Sequence, residues 1–321
     1  MELPAEPRIR WMLHRTAELL ELGAEPVSGL VLPTEEFFPD VFDGSPKAVV
    51  ALLQRIQAHA GLSDVDIELQ FVTPEGETAS AGGCGSGACG PGGKIETKLD
   101  RVGRRKDGSY VISVGTGEVG HPIVLTTVLA RCVASVFMSE AGGYDDLRPN
   151  DREPVTDLAA TMLGFGVLVT NGSHVVVKGC GGSKIHSAAK LTTDELSLAL
   201  AIFCRSFGVD MRIAHKHLDE VPRAHFANAE TWVRANATVV RRLKDDPDGI
   251  RKDAFVLDQA EGWMSRVFGF GKGKRGPTAD ETLAELERSL PATKTRKSVD
   301  PERAKKLAEL RALVDESLDS P

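Results

Sequence analysis

The sequence predicts an α+β domain, built from a small β-sheet and several packed helices, with a helical tail behind it. Three observations lead there. Apolar residues recur at helical spacing over much of the first 245 residues, two short segments alternate with period two, and GFGKGKRGPT interrupts the pattern near residue 270. At 321 residues, 41% hydrophobic and 26% charged, the chain is long enough for one large core or two smaller ones. A net charge of −7 argues against a nucleic-acid-binding surface spread over the whole protein.

The elements follow in order. PRIRWMLHRTAELLELG, Pro7 to Gly23, carries Ile9, Leu13 and Leu20 at helical spacing between an entering proline and an exiting glycine. Ser45 and Pro46 open a second helix that buries Val49, Leu52, Leu53 and Ile56. VDIELQFV, Val65 to Val72, alternates as a strand, as does SYVISV, Ser109 to Val114. Two long helices are expected around Val124 to Glu140 and Arg152 to Val169, joined by AGGYDDLRPN. A strand at Val175 to Lys178 precedes a helix that Thr192 and Glu195 start as a capping box and that runs to about Phe207. A further helix covers Ala224 to Leu243.

The organisation expected is a domain over 1–268, a Gly/Lys-rich linker over 269–278 and an amphipathic tail over 279–321. In the tail, Leu307, Leu310 and Val314 form a narrow apolar stripe, suited either to a protein partner or to packing back on the domain. The N-terminus shows no secretory apolar core and no uncharged run is long enough to span a bilayer, so a cytoplasmic protein without a membrane partner is expected. Five cysteines do not make a disulfide scaffold.

Chemistry is concentrated in LARCVASVFM, Leu129 to Met138, and EPVTDL, Glu153 to Leu158. The first has the apolar rhythm of a metallopeptidase helix, and the second has the ExxxD spacing of the helix that supplies a third zinc ligand. Together with LPTEEFFP, the Cys/Gly loop and the GFG stretch, the pair resembles an uncharacterised group of bacterial zincin-like proteins of gluzincin type. That resemblance covers residues 1 to 245 and implies a zincin-like metallopeptidase core. In that group the first helix reads LAHELAH. Here Arg131 and Ser135 stand where the two histidines belong, and Cys132 stands where the catalytic glutamate belongs.

These departures remove the chemistry. Arginine cannot ligate a cation and its charge repels Zn²⁺, serine is a poor zinc ligand, and no carboxylate at 132 can take a proton from bound water. Glu153 and Asp157 retain the ligand and orienting positions, although both also suit the start of a helix for electrostatic reasons alone. One expectation is that Arg131 replaces the metal's charge and pairs with Glu153.

The resemblance therefore implies a pseudoenzyme, without cofactor, that acts as a protein-binding or scaffolding module for an unidentified protein partner. The alternative is an active hydrolase with rearranged metal ligands or a Cys132 thiol nucleophile. Cys84, Cys89 and Cys180 lie in two glycine-rich segments and are either ligands of a structural metal or free thiols. GTGEVG, Gly115 to Gly120, precedes a helix as a phosphate-binding loop would, without an acidic ribose partner downstream. His215 and His217 read as surface or cap residues.

Overall fold

The computed structural model describes residues 3–72, 101–179 and 182–258. The chain divides between Ala260 and Glu261, and the first unit is α+β, mostly helical with a small mixed sheet. The linker 269–278, the tail with Leu307, Leu310 and Val314, and Cys84, Cys89 and Cys180 all lie outside the described residues.

Helix α1 (Glu6–Glu21) buries Ile9, Leu13 and Ala17, and α2 (Pro46–His59) starts where Ser45 Oγ accepts the Ala48 N–H at 3.2 Å. Strands β1 (Ile67–Val72), β2 (Val102–Arg104) and β3 (Tyr110–Gly115) form a sheet in the order β1-β3-β2. β1 runs parallel to β3, pairing Leu69 with Ile112, and β2 runs antiparallel to it. Tyr110, Ile112 and Val114 of the central strand face the core, as period two requires.

The interior is built on α3 (Pro122–Glu140), α4 (Pro149–Ala160) and α5 (Gly166–Gly172). α3 and the joined α4–α5 run are long and apolar enough to cross a bilayer, but their residues are mostly buried inside the protein. Their apolar surface is taken up by the core rather than left for lipid. Between α4 and α5 a π-helical segment, Thr161–Phe165, kinks at Gly164, where φ is +103°. A Cβ there would lie 2.3 Å from the Gly29 carbonyl oxygen, and Val31 N–H donates to the Gly164 carbonyl at 2.9 Å. The GFG stretch thus lets residues 29–31 cross the kink at backbone contact.

A hairpin of β4 (Val175–Gly179) and β5 (Gly182–His186) leads into α6 (Thr193–Ser206), whose capping glutamate Glu195 accepts the Thr192 N–H at 2.9 Å. The single helix expected over Ala224 to Leu243 is instead two, α8 (Glu220–Ala235) and α9 (Ala237–Asp245), behind the short α7 (Met211–His217). Asn236 makes the break: its Nδ2 donates to the Trp232 and Asp258 carbonyls, and its Oδ1 accepts the Asp258 N–H at 2.8 Å. α10 (Pro247–Arg251) then packs on α1.

Candidate functional site

α3 and α4 pack against each other, and their facing turns carry the residues singled out by the sequence. Arg131 Nε donates to Asp157 Oδ1 at 2.5 Å, with the two side chains 3% and 0% exposed. Arg131 Nη1 donates to the Ala188 carbonyl at 2.9 Å. The other Asp157 oxygen accepts the Lys190 and Leu191 N–H groups at 2.6 and 2.8 Å. A charge with no solvent around it is costly unless it is paired and hydrogen-bonded, and here both partners also bind backbone. The pair therefore fastens the segment before α6 onto α3 and α4.

The expected Arg131–Glu153 pair does not form. Glu153 sits one turn earlier, partly exposed, and makes no hydrogen bond or ion pair among the described residues. The ExxxD pattern puts both carboxylates on the same side of α4, but only the deeper one lacks water and so needs the guanidinium.

Ser135, one turn along α3 from Arg131, meets a phenol. The Tyr144 hydroxyl donates to Ser135 Oγ at 3.0 Å and lies 2.7 Å from Thr156 Oγ1, which in turn donates to the Arg152 carbonyl at 2.8 Å. Burial raises the Tyr144 pKa above its ordinary value, opposed by its bonds to Ser135 and Thr156. Tyr144 belongs to the AGGYDDLRPN turn and Thr156 to EPVTDL. Neither was singled out in the sequence, because no residue type marks a hydroxyl network in advance.

Cys132 is buried on the same helix, and desolvation pushes its thiol up to about 11, against the pull of Arg101 and Arg131. At neutral pH it is a protonated thiol, not the thiolate that nucleophilic attack requires. Among the charges acting on it is a second, partly buried pair, in which Arg101 Nη1 and Nη2 each donate to one Glu118 oxygen at 2.8 Å. Glu118 Oε2 also accepts the Gly115 N–H at 3.0 Å. The Gly115 N–H at the start of the GTGEVG loop is thus taken by a carboxylate of the protein's own.

Zinc does not fit this arrangement. Arg131 holds one Asp157 oxygen and two backbone amides hold the other. Among the described residues no three His, Cys, Asp or Glu side chains converge as a metal site. His215 and His217 fall in the last turn of α7, where histidine and lysine suit the helix's negative end.

Comparison with protein-family models, curated proteins and solved structures finds no match for this chain.

Proposed function

We propose that this chain is a zincin-like pseudoenzyme, a metallopeptidase helix pair in which an internal ion pair stands in place of the metal, working as a protein-binding or scaffolding module. The observation that supports this reading is the position of Arg131. It occupies the first-ligand position of a HExxH-type helix and directs its charge at Asp157 on the neighbouring helix, the position that would orient a ligand. A cation of the protein's own takes over the role of holding the two helices together. Catalysis has no support from the same residues: Cys132 is a buried neutral thiol, and Ser135 is engaged with Tyr144.

The test uses full-length protein purified without a metal-affinity tag. Zinc content and hydrolysis of an unfolded protein substrate are measured for the parent, for Glu153→Gln, and for a variant with Cys84, Cys89 and Cys180 changed to serine. The expected result is no metal-dependent hydrolysis, and no zinc that survives the cysteine replacements. Stoichiometric zinc that survives them but is lost with Glu153→Gln would overturn the proposal.

A further inference from the structure

Away from the buried ion pair, the segment over 33–42 and the first turns of α2 and α3 line an open-mouthed cavity of about 420 Å³. That size is in the range of small-ligand sites, commonly about 300–1,000 Å³. Phe38, Phe42, Leu52 and Pro122 supply apolar walls. The wall is held in place before any ligand arrives: Arg55 Nε donates to Asp40 Oδ2 at 2.8 Å, and His59 Nε2 lies 3.0 Å from the Phe37 carbonyl oxygen. His59 also packs edge-on against the rings of Phe37 and Phe38. A preformed pocket loses little ordering entropy on binding.

The charges lining the cavity decide what it would take. Asp40 and Arg55 neutralise one another. Glu35 lines the same cavity, is exposed, and has no hydrogen-bond or ion-pair partner among the described residues. An apolar cavity with one uncompensated carboxylate favours a ligand that is apolar at one end and positive at the other.

We propose that this cavity is a binding site for a small alkyl or aralkyl ammonium, with its apolar body between Phe38, Phe42 and Leu52 and its charge at Glu35. The site is independent of the metallopeptidase-like reading of α3 and α4.

Three probes of equal chain length test it on the full-length protein by NMR titration: hexylammonium, hexanol and hexanoate. Hexylammonium binds most tightly and exceeds hexanoate by about fivefold, the scale of an exposed charge interaction. Glu35→Gln, a change at an exposed and unpaired side chain, brings hexylammonium to within about twofold of hexanol and leaves hexanol unchanged. Ala48→Trp, which places an indole in the cavity, removes binding of all three, with the thermal midpoint as the check that it folds. The proposal is overturned if none of the probes binds, or if hexanoate binds as tightly as hexylammonium. Preference for the ammonium that persists in Glu35→Gln, or full binding by folded Ala48→Trp, overturns it equally.

Discussion

Arg131 and Asp157 form a buried ion pair at 2.5 Å that also holds the chain at Ala188, Lys190 and Leu191. Removing one member strands the other charge without water, which costs about 3–5 kcal/mol. Arg131→Met and Asp157→Leu are each expected to lose stability on that scale in urea unfolding. The double variant recovers part of the loss, because two apolar side chains leave no uncompensated charge, although the Ala188 carbonyl and the Lys190 and Leu191 N–H groups lose their partners. A double variant as unstable as the sum of the singles would show that the pair does not act as a unit.

The kink at Gly164 predicts a second effect. Gly164→Ala must hold a side chain at φ +103° and displace the Gly29 carbonyl from 2.3 Å. The strain alone costs about 1–3 kcal/mol, and the crossing of residues 29–31 has to loosen as well. Thermal unfolding measures it. A midpoint equal to that of the parent would mean that the kink is not held as described.

Much of this architecture was legible in the sequence. The Thr192–Glu195 box, the extent of α3, the Ser45 cap and the strands β1 and β3 all follow from local rules. The break at Asn236 was not legible, since no proline or glycine marks it and its partner is Asp258, far along the chain. β2, with three residues, is too short to show a period. At the site, the residue types of α3 and α4 were readable, but the choice of Asp157 over Glu153 was not. Both lie on one side of α4, and depth, a tertiary quantity, separates them.

The Tyr144 hydroxyl joins α3 to α4 through Ser135 and Thr156. Tyr144→Phe keeps the ring and leaves the two hydroxyls short of a partner, which costs about 1–3 kcal/mol. Tyr144→Phe with Ser135→Ala is expected to be less destabilising than the two single costs added. Strict additivity in a double-mutant cycle would rule out the network.

Cys132 gives stability a pH dependence with a definite sign. Its folded pKa is raised to about 11 from an ordinary value of 9.0, so its contribution is complete below pH 9. As pH climbs towards 11 the unfolded chain releases the proton while the folded one keeps it, and stability falls. Cys132→Ala should remove on the order of 2 kcal/mol from that decline relative to the parent. The pH dependence of urea unfolding from 8 to 11 measures the difference, and parallel curves would contradict the burial of the thiol.

The proposal at the centre of this reading is that α3 and α4 are a metallopeptidase-like helix pair in which Arg131 takes the metal's place. Restoring Arg131→His, Cys132→Glu and Ser135→His together tests it most directly, because helical spacing puts both imidazoles on one face and Asp157 is placed to orient the first. Calorimetric zinc titration of the folded triple variant, with Glu153→Gln in the same background as control, is the measurement. The account predicts a zinc-binding isotherm absent from the parent and lost in the control. A folded triple variant that binds zinc no better than the parent, or a control that binds equally well, would contradict it.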